Sequence, residues 1–118
     1  MSIPILEIDN LLIISIQIDL GDAEAAQLQT ALLERLAATG ARGILLDLTA
    51  VETVDSYLGR VIRDTAAMAH LMGAATALVG MRPAVAITFV ELGLKLPQVH
   101  TDLNLERGLA WLRRQAQT

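Results

Sequence analysis

The chain has 118 residues, a formal net charge of −4, no cysteine, and 53% hydrophobic residues with only 3% aromatic. That length suits one domain with a single core, and the missing cysteines exclude disulfides and thiolate chemistry. The acidic balance argues against nucleic acid as the main partner, which would need a concentrated basic face. No apolar stretch approaches the roughly 18 residues of a membrane span, and no basic segment precedes an apolar run as a secretory signal requires. With so few aromatics the core has to be built from Leu, Ile, Val and Ala. The apolar excess either packs that core densely or stays on the surface for other subunits to cover.

Residues 3–8 read as a short strand, with Pro4 near its start, where a missing N–H is tolerated. Asp9-Asn10 is a tight turn into a second strand, 11–18, so the chain opens with a β-hairpin. In that second strand Ile14, Ile16 and Ile18 fall on one face and Ser15, Gln17 and Asp19 on the other, which predicts one buried face. Gly21-Asp22 breaks the strand, and Asp22 is the expected cap of a helix running to about Thr39. Its stripe of Ala25, Leu28, Leu32 and Leu36 faces the core, and Gly40 stops it.

Residues 43–48 form an almost wholly apolar run, as the buried centre of a parallel sheet requires. Residues 51–54 are extended, and a second helix then runs from Ser56 to about Met72, ended by Gly73. Residues 76–79 are another buried strand, closed by Gly80. Pro83 suits the first position of a third helix, which Gly93 ends. Residues 97–100 are a short final strand, and Thr101 or Asp102 starts a last helix with Leu105, Leu109 and Leu112 as its buried stripe. Successive strand–helix–strand units imply parallel strands with right-handed crossovers. The expectation is one α/β domain over residues 1–118: a mixed, mostly parallel β-sheet that opens with a β-hairpin and carries about four α-helices.

The junction Asp55-Ser56 is the most informative point in the chain. It sets the Ser56 hydroxyl on the first turn of a helix, where backbone N–H groups lack partners and the macrodipole favours negative charge. A phosphate is well accommodated there, and equally, Asp and Ser are ordinary helix caps. Gly59 either clears space for an approaching protein or packs against a neighbouring element. Arg60, one turn on, is placed to reach a phosphate on Ser56 or to pair with Asp64 at i+4. Tyr57, Arg60 and Asp64 lie off the apolar stripe and form a contact surface in this reading. Asp55 repels a phosphate beside it, so modification here disrupts an interface more readily than it stiffens the domain.

Enzyme chemistries find little support. His70 and His100 are far apart and have no acidic or thiol cluster at metal-ligand spacing. No glycine-rich phosphate loop is present, and Ser56 has neither a nucleophile elbow nor a foreseeable histidine partner. Asp47 ends a strand where phospho-accepting receiver domains carry an Asp, but the acidic pair and the lysine such domains need are not in place. Asp47 is read instead as capping a loop at the strand end.

The order of elements, together with Asp47-Leu48-Thr49, Asp55-Ser56 and Gly80-Met81-Arg82-Pro83-Ala84-Val85, resembles the STAS family (sulfate transporter and anti-sigma factor antagonist domains) along almost the whole chain. Ile3-Pro4-Ile5-Leu6, Leu71-Met72-Gly73-Ala74, Pro83-Ala84-Val85-Ala86-Ile87-Thr88 and Glu91-Leu92-Gly93 narrow the resemblance to the small scaffold subunits of bacterial stressosomes. The resemblance implies a non-catalytic, cytoplasmic phosphoprotein without cofactor. It implies co-assembly with an RsbR-type STAS sensor paralogue, capture of an RsbT-type serine kinase, release on phosphorylation, and resetting by an RsbX-type phosphatase. The family's acceptor serine maps onto Ser56, and Thr88 matches a second acceptor position of the sensor paralogues. A stand-alone anti-sigma factor antagonist controlled by serine phosphorylation is the alternative that the same residues allow.

Overall fold

A computed structural model describes residues 3–17 and 20–116. The elements in chain order are β1 (Leu6–Ile8), β2 (Leu11–Ser15), α1 (Asp22–Thr39), β3 (Gly43–Asp47), α2 (Ser56–Leu71), β4 (Ala75–Val79), α3 (Pro83–Glu91), β5 (Val99–Asp102) and α4 (Leu105–Ala116). One five-stranded sheet has the order β1-β2-β3-β4-β5. The β1–β2 pair is antiparallel and the other three pairs are parallel. Asp9 and Asn10 both take positive φ, the conformation a two-residue hairpin turn needs.

The helices sheathe both faces of the sheet. On one side the α1 stripe of Ala25, Leu28, Leu32 and Leu36 packs with Leu58, Ile62 and Ala69 of α2, Val85 and Phe89 of α3, and Leu12, Ile14 and Ile44 from the strands. On the other, Leu112 of α4 packs with Leu11, Leu45, Ala77 and Val79, flanked by Leu109 and Trp111. Alternation along β2 therefore sorts residues between two cores, because α4 covers Leu11 and Ile13 on the face that was expected to meet water. Ile18 and Asp19, at the end of the strand expected over 11–18, lie outside the described residues. Gly108 lets α4 approach closely, since a Cβ there would press on Val79 and Leu45. His100 stacks on Trp111 with ring centroids 4.1 Å apart, closing α4 onto the edge strand. Hydrogen bonds from the Leu103 N–H and from His100, helped by Arg107, hold the Asp102 carboxyl below its usual range.

Several local expectations are corrected, beginning with the first strand, which starts at Leu6 and not at residue 3. Asp22 is the first helical residue and not the cap; Gly21 is the cap, and its N–H donates to Glu24 Oε1 at 3.1 Å. The last strand is Val99–Asp102, two residues later than expected, because its register follows Thr76–Val79 of β4. The last helix begins at Leu105 and not at Thr101 or Asp102, since the Asn104 side chain accepts from the Arg107 N–H at 3.0 Å and sets the start. Leu105 is 41% exposed, because α4 buries Gly108 and Leu112 instead.

Large apolar side chains remain on the surface: Leu71 is 86% exposed, Val90 79% and Leu103 71%. Among the described residues no helix is long and apolar enough to cross a membrane.

The carboxyl ends of the central strands are locked together. The Thr49 N–H and hydroxyl both donate to Asp47 Oδ1, at 2.9 and 2.6 Å, and Arg82 Nε donates to the Thr49 carbonyl at 2.8 Å. Gly80, at φ +72°, lies against this turn so closely that a Cβ would overlap Thr49 Oγ1. Gly80→Ala combines left-handed strain with that overlap and is expected to destabilise the fold by about 2 kcal/mol in urea unfolding. Adding Thr49→Ala should return only part of the loss, because it removes the overlap but not the strain. A Gly80→Ala chain as stable as the parent would contradict this packing.

Candidate functional site

The lock at Asp47, Thr49 and Gly80 starts the short extended stretch that delivers the chain to α2. Asp55 is the N-cap, with extended backbone, and its Oδ1 accepts from the Leu58 N–H at 2.8 Å. Its carbonyl accepts from the Gly59 N–H at 3.2 Å. Of the two residues that sequence reasoning left open as caps, Asp55 does the capping. Ser56 is the first helical residue, exposed, and its hydroxyl makes no hydrogen bond to any described residue. It is therefore an unengaged hydroxyl at the positive end of a 16-residue helix.

Ser56 borders a small notch of about 140 Å³, which Arg60, Arg63, Leu92, Gly93 and Leu94 also line. The wall of the notch formed by Leu94 depends on Gly59 having no side chain. A Cβ on Gly59 would come within 2.6 Å of Leu94 Cδ2 and 3.3 Å of Phe89 Cε1, so Leu94 sits where the side chain would be. That seats the loop after α3 beside Ser56. Gly59 is buried by its own chain, and its space is not open to a partner.

The remaining residues of the expected contact surface divide. Tyr57 is half-buried and packs against the main core, so its ring belongs partly to the fold. Arg60 and Asp64 are exposed. They do not pair with each other: Asp64 Oδ1 accepts from Arg63 Nε at 3.1 Å, while Arg60 lies along the notch. Thr88 lies in the middle of α3, half-buried, and its hydroxyl donates to the Ala84 carbonyl at 2.9 Å.

Arg63 and the loop Leu92-Gly93-Leu94 were missing from the sequence-based site. Arg63 was within reach of the argument, since it stands seven residues after Ser56 and so on the same stripe of α2. The loop was not, because only packing across Gly59 brings it there. Neither histidine lines the notch: His100 sits on β5 with its Nε2 3.1 Å from Asp102 Oδ2, and His70 is in the last turn of α2.

The STAS domain family model matches residues 2–107. A serine-to-glutamate variant of Moorella thermoacetica RsbS superposes with a TM-score of 0.86 at 34% identity, covering 98% of each chain. A chain from the structure of the stressosome, described as a signal integration and transduction hub, superposes with a TM-score of 0.79 at 34% identity, over 98% of this chain and 100% of that one. The RsbT co-antagonist protein RsbRA of Bacillus subtilis is 38% identical over 66 residues, 56% of this chain. The chain spans 24% of that protein's length.

The cap carries a direct expectation. Asp55→Ala leaves the Leu58 N–H without its side-chain acceptor and should cost about 1 kcal/mol in urea unfolding, whereas Asp55→Asn should keep most of that stability. Equal midpoints for Asp55→Ala and the parent would show that Asp55 does not hold the start of α2.

Proposed function

The chain belongs to the STAS family, and from that premise we propose that it acts over residues 1–118 as the non-catalytic scaffold subunit of a stressosome-type complex, of the RsbS kind. In this reading it assembles in the cytoplasm with an RsbR-type paralogue and holds an RsbT-type switch kinase. It lets the kinase go when Ser56 is phosphorylated, and an RsbX-type phosphatase removes the phosphate. The observation that carries the proposal is the exposed, unbonded Ser56 hydroxyl on the first turn of α2, in a chain that matches an RsbS fold along nearly its full length. Thr88 is the weaker second acceptor, since its hydroxyl is already bonded within α3.

The physics of such a switch is local. A phosphate brings roughly −1.5 to −2 charges to a surface where Asp55 is already negative, so a partner seated there meets repulsion and a desolvation penalty. A hundredfold loss of affinity corresponds to about 2.7 kcal/mol, well within what such a charge supplies at an interface. ATP and magnesium belong to the kinase; this chain offers an acceptor and a surface. The apolar side chains left exposed at Leu71, Val90 and Leu103 are material for contacts within the assembly.

Two variants separate capture from release. Ser56→Asp should weaken binding of the cognate kinase, and Ser56→Ala should bind it normally but fail to let it go when ATP is added, as read by co-sedimentation of the kinase with the assembled particle. Kinase capture and release indistinguishable from the parent in both variants would remove Ser56 from the switch.

A further inference from the structure

Arg60 is a cation beside Ser56 with nothing to hold: it makes no ion pair or hydrogen bond to any described residue. Arg63 gives its Nε to Asp64 and keeps its two terminal nitrogens available as donors. Ser56, Arg60 and Arg63 stand at i, i+4 and i+7 on α2, one stripe of the helix. Helical side chains favour rotamers that run toward the N-terminus of their helix, so both arginines are placed to reach toward Ser56. All three line the same notch of about 140 Å³, which is room for a phosphoryl group.

The charges around the notch favour one direction. Asp55 precedes Ser56 without lining the notch, has one oxygen committed to the Leu58 N–H, and repels a phosphate. The opposite wall, Leu92-Gly93-Leu94, is uncharged, and Glu91 and Lys95 flank it without lining the notch. A phosphate on Ser56 is thus repelled by Asp55 and attracted by Arg60 and Arg63, the only charged residues, among those described, that line the notch.

We propose that Arg60 and Arg63 close on a phosphate carried by Ser56 and hold it in this notch, an inference that rests on Ser56 being the acceptor. The modification then does two things at once. It adds negative charge beside Asp55, and it removes Arg60 from the surface that a partner reads. In the unmodified chain Arg60 is free to meet a partner's carboxylate; in the phosphorylated chain the phosphate competes for it. Release becomes competition for a cation as well as repulsion between anions.

The test uses the full chain with phosphoserine placed at position 56 during translation, so that no kinase is involved. Its phosphate is titrated by ³¹P NMR in the parent and in Arg60→Gln, Arg63→Gln and the double variant, with Arg114→Gln on α4 as a control for net charge. Nearby cations favour the dianion, so the second ionisation constant should be about threefold larger in the parent than in the double variant. Arg114→Gln should match the parent. Equal constants in the parent and the double variant, with far-UV spectra showing both folded, would overturn the clamp. Because the phosphate is installed without a kinase, that outcome strikes the clamp alone, whereas failure of the cognate kinase to modify Ser56 strikes the reading of the acceptor.

Discussion

The close approach of Gly80 to the turn at Asp47 and Thr49 is the constraint from which the working end of the molecule follows. Four parallel strands end together at this edge of the sheet, and the chain leaving β3 has to turn without disturbing the chain leaving β4. Asp47 holds Thr49 by two hydrogen bonds, Gly80 has no side chain to push that turn outward, and Arg82 ties down the Thr49 carbonyl. The segment from Thr49 to Asp55 is therefore launched from a fixed point, and the N-terminus of α2 faces outward beyond the carboxyl ends of the strands. Two of the motifs that first suggested the STAS family are the two halves of this one contact.

A second constraint places α3. The missing side chain at Gly59 admits Leu94, so the loop after α3 is held against the first turns of α2. Ser56, its neighbouring arginines and an uncharged wall are brought together by packing. Phosphorylation of such a site needs no rearrangement of the core to be felt by a partner, because the surface itself changes charge. That logic suits the proposed scaffold role, which is to hold another protein and to stop holding it.

Much of the architecture was legible because few physical signals compete in this chain. The stripe Ala25, Leu28, Leu32 and Leu36 is the buried face of α1, and Gly40, Gly73 and Gly93 end their helices in the left-handed conformation that glycine tolerates. Pro83 opens α3. The errors cluster where tertiary packing overrides local pattern. The last strand slides to Val99–Asp102 because β4 sets its register, and Leu105 is exposed because α4 approaches the sheet through Gly108. At the candidate site, the position of Ser56 on the first helical turn followed from the strand-to-helix junction alone. The notch did not, since it depends on contact between residues more than thirty positions apart. The expected Arg60–Asp64 pair failed for a related reason, with Arg63 nearer to Asp64 and Arg60 drawn along the notch.

The central claim is that Ser56 accepts a phosphate, and intact mass is the most direct measure of it. The purified chain and its Ser56→Ala variant are each incubated with the cognate switch kinase and ATP, and weighed. The account predicts one added phosphate in the parent and none in the variant. An unmodified parent beside a kinase shown to be active on another substrate, or equal phosphate on both chains, would contradict it.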